Sequence, residues 1–123
     1  MTRPQRVIIE SPYAGKSEKN SPEYFKEVEE NLKYCRACMR DSFLRGEFPY
    51  ASHILFTQKG ILDDTIPEER KLGMEAGLDW GELADLTVVY TDIGMSCGME
   101  FGIKRAEEAG RPIEYRTLED FTN

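Results

Sequence analysis

The chain has 123 residues, 40% of them hydrophobic and 32% charged, with a formal net charge of −7. Those totals suit one soluble globular domain, residues 1–123, large enough to bury a core without disulfide staples. The acidic balance and the scatter of its 16 Lys and Arg disfavour a long nucleic acid, and no apolar run reaches the roughly 18 residues of a membrane span, so no membrane partner is expected.

The opening "MTRPQRVIIE" lacks the longer apolar core of a signal peptide, and a cytoplasmic location is the expectation. Within it "RVIIE" (6–10) reads as a strand, closed by the turn residues of "SPYAG". "KSEKN" reads as a polar, mobile connection. "SPEYFKEVEENLKYCRACMRDSFLRG" then reads as a long helix, with Ser21 to cap it, Pro22 in the first turn and Gly46 to end it. Phe25, Val28, Leu32, Cys35, Met39 and Phe43 recur at three- or four-residue spacing and predict its buried stripe. The "CRAC" motif puts Cys35 on that stripe. With a single CxxC and a single histidine, packing cysteines outweigh a zinc site or redox pair, and no metal or cofactor is expected.

"ASHILFTQ" (51–58) is the second predicted strand, with His53 as a hydrogen-bonding side chain at its end and Phe48, Pro49 and Tyr50 covering the core beneath it. "KGILDDTI" reads as a loop with solvated Asp63 and Asp64. "PEERKLGMEAGLDWGELA" (67–84) reads as a helix interrupted by Gly73, Gly77 and Gly81. "DLTVVYT" (85–91) has the continuous β-branched run of a strand buried on both faces. After "YTDIGMSCGMEFG" a helix ends near Gly110. "RPIEYRTL" alternates Ile113 and Tyr115 against Glu114 and Arg116, which predicts a half-exposed edge strand.

Strands alternating with helices predict an α/β fold: a small doubly wound, flavodoxin- or Rossmann-like three-layer sandwich. Its mostly parallel sheet has about four strands in the order 2-1-3-4, and ligands in such sheets bind at the strand carboxyl ends beside the switch point. The loops there are "ESPYAG" and "TDIGMSCGME". Glu100 falls in the first turn of the last helix behind Ser96 as cap, with Gly94 and Gly98 allowing a tight turn and close approach to a ligand. By itself an acid at that position only favours the helix dipole.

The residues "ADLTVVYTDIG…GMEFG…A…G.PI" resemble the nucleoside 2-deoxyribosyltransferases and the deoxynucleoside 5′-monophosphate N-glycosidases. Asp92, Gly94, Gly98, Met99, Glu100 and Gly102 match the Asp-x-Gly and Gly-Met-Glu-x-Gly elements, and Gly110-Arg111-Pro112 occupies the following turn. Trp80 before Asp85 resembles the tryptophan leading into that strand in the glycosidase branch. The segments "SPYAG" and "CMRDS…RGE.P.ASH" are also similar to an uncharacterised phage and bacterial family with no assigned activity. The resemblance implies a nucleoside or nucleotide ligand and a retaining-glycosidase type of mechanism at the N-glycosidic bond of a 2′-deoxynucleoside. Glu100 is then the nucleophile, and Asp92 or Asp79 protonates or hydrogen-bonds the departing base. Ser96, Gly98 and Met99 at the helix start, with Gly94 before it, hold a 5′-phosphate, while Ser11 and Tyr13 contact sugar or base. It also implies a homodimer or higher homo-oligomer. Ser96-Cys97 lengthens the nucleophile loop by two residues against the family pattern, and Glu10-Ser11-Pro12 stands where the family is glycine-rich. Two other functions stay open: non-catalytic binding of a nucleotide-derived, ADP-ribose-like signal, and a protein–protein inhibitor or adaptor.

Overall fold

The computed structural model describes residues 3–119. In chain order the elements are β1 (Arg6–Glu10), α1 (Pro22–Leu44), β2 (Phe48–Tyr50), α2 (Ser52–Leu55), α3 (Pro67–Gly81), β3 (Leu86–Tyr90), α4 (Cys97–Glu108) and β4 (Ile113–Arg116). The four strands form one all-parallel sheet in the order β2-β1-β3-β4. This is the small doubly wound α/β arrangement expected, with its switch point between β1 and β3.

Strand alternation sorts the two sheet faces. Val7 and Ile9 of β1 join Leu86, Val88 and Tyr90 of β3 in a core completed by Tyr34, Cys35 and Cys38 of α1. Ile8 and Glu10 point the other way: Ile8 lies beside Gly81 of α3, and the Glu10 carboxylate beside Gly102 of α4. Every residue of β3 is buried, as its apolar run predicts.

Helix α1 has the expected caps. The Ser21 hydroxyl accepts from the Tyr24 amide, Pro22 stands at the first turn, and Gly46 leaves the helix at φ +85°, a conformation that favours glycine. Of its expected stripe, Val28 and Cys35 are buried and Leu32 and Met39 half-buried. Tyr24, Val28, Cys35, Cys38 and Ser42 face inward, whereas Phe25 and Phe43 are more than half exposed. Phe25 stacks edge-on against Tyr24, with the ring centroids 5.7 Å apart. Cys35 and Cys38 are both free thiols packed in the core.

The second strand is also displaced. β2 is the triplet Phe48-Pro49-Tyr50, hydrogen-bonded to the start of β1, and Ser52–Leu55 within the expected strand is a short helix. Proline is tolerated in β2 because it is an edge strand. Helix α3 runs unbroken through Gly73 and Gly77 to Gly81. Its three glycines share one helical face, and Gly77 lets α3 lie against Ser52. "KSEKN" is tied down rather than loose: Glu27 accepts from the Lys16 and Ser17 amides and from the Ser17 hydroxyl, each at 2.8 Å.

On β4 the expected alternation fails at Arg116. Its side chain is only 4% exposed, while Tyr115 is 59% exposed. The guanidinium makes paired bonds to both carboxylate oxygens of Glu47, at 2.8 and 2.7 Å, and also bonds Glu114 and the Tyr90 hydroxyl. A buried guanidinium is acceptable only with such partners. No helix among the described residues is long and apolar enough to cross a membrane.

Candidate functional site

A cleft of about 1620 Å³ opens at the carboxyl ends of β1 and β3 and continues along α3. Its length follows from the fold. α3 packs chiefly on α2 rather than on the sheet, so the groove between α3, β1 and α4 stays open.

One wall is the β1–α1 loop. Asn31 donates to the Tyr13 carbonyl at 2.9 Å and to the Ala14 carbonyl at 3.3 Å, holding the loop on α1. Gly15 has no room for a side chain, because a Cβ there would lie 2.9 Å from the Tyr24 carbonyl oxygen. Ser11 and Tyr13 both line the cleft from this loop. Facing them is the start of α4, where the Ser96 hydroxyl accepts from the Met99 amide. Gly94 (φ +100°), Ser96, Gly98 and Met99 all line the cleft as well. The six residues expected to bind ligand therefore share one cavity.

The three expected catalytic acids do not join them. Glu100 is exposed on α4 and is not a lining residue. Met99 and Ala106 take the buried face of the helix, and Glu100 follows Met99 by one residue, about 100° round the axis. Asp92 is occupied structurally. It accepts from the Tyr34 hydroxyl at 2.5 Å and from the Leu118 amide at 3.1 Å, and its own amide donates to the Tyr34 oxygen at 2.9 Å. Asp79 is exposed near the end of α3, as is Trp80, and neither lines the cleft.

The acid that does sit at the junction of β1, its loop and α4 is Glu10. Burial raises its carboxyl to about 8, against the opposing pull of the Arg111 charge. Beside it, Ser11 is buried, and its hydroxyl lies 2.9 Å from His53 Nε2. Burial lowers His53 to about 4, so the ring is neutral at physiological pH and trades one hydrogen bond with Ser11. His53 sits on α2 rather than at a strand end. Further along the groove, Asp64 pairs with Arg70 at 2.8 Å, while Asp63 accepts from the Thr65 amide and hydroxyl. Arg40 and Arg70 line the groove, whereas Arg45 is turned to Asp41.

Both CxxC thiols are raised, first by burial, which keeps them protonated and inert at neutral pH. Among the described residues no three His, Cys, Asp or Glu side chains are grouped to hold a metal ion.

Glu10 and the Ser11–His53 pair were not expected as a site. The available signal was a carboxylate ending a buried parallel strand at the switch point. A helix-interior glycine at 102, costing about 1 kcal/mol against alanine, was the matching signal on α4.

The model of the family described as a domain of unknown function (DUF7768) matches residues 5–116, and the chain belongs to that family. No curated protein matches it.

Proposed function

We propose that this family member binds a nucleoside or nucleotide in the switch-point cleft and cleaves or transfers the N-glycosidic bond of a 2′-deoxynucleoside or its 5′-monophosphate. The family description carries no activity, so support comes from the cleft. The observation that carries the reading is the facing pair of walls: Ser11 and Tyr13 on one side, and the glycine-rich start of α4 on the other. Open amides at a helix start suit a phosphate, and an adjacent hydroxyl and aromatic ring suit a sugar and base. The reading takes a glutamate carboxyl as the reacting group, and of the glutamates lining the cleft Glu10 is the one that ends β1 and reaches α4.

Incubation with the four 2′-deoxynucleosides and their 5′-monophosphates, with chromatography for free base, tests it. Base release is expected from at least one substrate; none from any of the eight rejects the catalytic reading. The exposure of Glu100 favours a second reading, binding of an ADP-ribose-like ligand without turnover. That reading expects a thermal shift on ligand addition, with the ligand recovered intact. A homo-oligomer belongs to the same proposal. Exposed Leu72, Trp80, Leu83 and Phe101 supply apolar surface for it, and light scattering measures it.

A further inference from the structure

We propose that Glu10 is the catalytic acid of this cleft, and that Gly102 is the positioning residue that seats its carboxyl against α4. The inference rests on the N-glycosidic reading above and replaces the expected acid on α4 with one on β1. Three observations carry it. Glu10 ends β1 at the switch point, next to the ligand-facing Ser11, and lines the cleft. Its side chain leaves the sheet on the face opposite the α1 core and reaches the backbone of α4. A Cβ built on Gly102 would lie 2.5 Å from the Glu10 Cδ and 2.8 Å from Oε1, so no other residue at 102 is compatible with the carboxyl in this position. A glycine inside a helix is unfavourable by about 1 kcal/mol, and admitting this carboxyl is the packing reason for it.

The charged and titratable surroundings favour a proton on Glu10. Among the described residues Arg111, following α4, is the opposing charge acting on it, and its guanidinium is also engaged with the Gly81 carbonyl at 3.1 Å. From α1 the neighbour is the Cys35 thiol, neutral through burial. His53 of α2, neutral, and Arg105 of α4, paired with Glu82, line the same cleft. α3 lines the cleft with Gly77 and Gly81, which lie against Ser52 and Ile8. A carboxyl held protonated at neutral pH is a proton donor rather than an anionic nucleophile.

In the step so defined, the Glu10 O–H gives its proton to a nitrogen of the base. The C1′–N bond breaks, and its electron pair leaves with the base. A water oxygen then bonds to C1′ and returns a proton to the Glu10 carboxylate. The net change is hydrolysis to sugar and free base, with no oxidation or reduction.

The test measures base release from the 2′-deoxynucleoside panel between pH 5 and 9 for wild type, Glu10→Gln and Gly102→Ala. The wild-type rate should fall as pH rises through about 8. Glu10→Gln should lose about 10²- to 10⁴-fold, the usual worth of a general acid. In Gly102→Ala the carboxyl swings out to water, so the alkaline limb should move down toward the ordinary carboxylate range, with activity surviving better at pH 5 than at pH 7. Thermal melting gives a readout free of turnover: Glu10→Gln should gain stability over wild type as pH rises from 5 to 9. Base release at the wild-type rate by Glu10→Gln, or a wild-type rate that rises as pH passes 8, overturns the Glu10 assignment alone. A flat melting difference between the two proteins across that range also overturns it. No release by wild type overturns the N-glycosidic reading and the catalytic role together.

Discussion

Glu47→Gln tests how much the buried Arg116 network contributes to the fold. The Arg116 and Glu47 side chains are 4% and 12% exposed, and two charge-assisted bonds of 2.8 and 2.7 Å join them. Ser42 donates to the same Glu47 oxygen at 2.7 Å, which fixes the carboxylate in place. Removing one member of a buried pair costs about 3–5 kcal/mol, because the remaining charge is left desolvated. Glutamine keeps one acceptor oxygen and Glu114 still meets the guanidinium, so the lower end, about 3 kcal/mol, is expected. Urea unfolding followed by circular dichroism should show it, together with a fall of roughly 10 °C in melting temperature. The same pair sets a pH dependence. Glu47 is held below its ordinary value, first by the Arg116 hydrogen bond, so its stabilisation is complete above the unfolded value of 4.5. It is lost as pH falls through the lower folded value, and the difference between wild type and variant should shrink there. The double variant Glu47→Met, Arg116→Met removes both charges and should return to within about 1 kcal/mol of wild type. A Glu47→Gln protein as stable as wild type, or a double variant no better than the single, would refute the reasoning.

Tyr34→Phe removes the hydroxyl that both donates to and accepts from Asp92, and should cost about 1–3 kcal/mol in urea unfolding. Gly77→Ala places a Cβ 2.7 Å from the Ser52 hydroxyl and 2.9 Å from its Cβ, so α2 and α3 must separate. A loss of about 1–3 kcal/mol is expected, recovered in part by Ser52→Gly. Asp85 is lowered to about 2, first by its hydrogen bond from Arg3, so its contribution is present above the unfolded value of 3.8 and lost as pH falls toward 2. Acid titration of Asp85→Asn against wild type should show the two melting temperatures converging in that window. Glu100→Gln should leave ligand affinity and base release within a factor of two of wild type, since the side chain faces solvent.

The strand order and the place of the cleft were legible because they follow from coarse patterns. Alternating elements with a fully apolar third strand leave few topologies, and the switch point follows from the order. β2 was misplaced because "HILF" is an apolar run too short for periodicity to separate strand from helix. There the local bond from the Phe56 amide to the Ser52 carbonyl wins. At the start of α1 Phe25 outranks Tyr24 as an apolar residue, yet the tyrosine takes the inward position. Alternation assigned Arg116 to the solvent face, and its burial depends on Glu47 and Tyr90, partners distant in sequence. Asp92 matched a motif, but its carboxylate is spent on Tyr34 and Leu118, contacts no local pattern reveals.

The placement of the carboxylates on α4 follows from helical phase. Met99 and Ala106 are buried, and Gly102, Ile103 and Arg105 are half-buried. Glu100 and Lys104, both exposed, are one step round on the solvent face, where an i,i+4 acid–base pair is favourable. Ser96 is the cap of α4, which fixes where the first turn starts and hence which residues face the sheet. With the cap there, position 100 cannot reach the cleft without breaking the Ser96–Met99 bond and exposing Met99. Position 102 faces β1, and this chain has no side chain at that point. The space is filled from the opposite wall by Glu10, so the cleft has a carboxyl at the helix that comes from the strand.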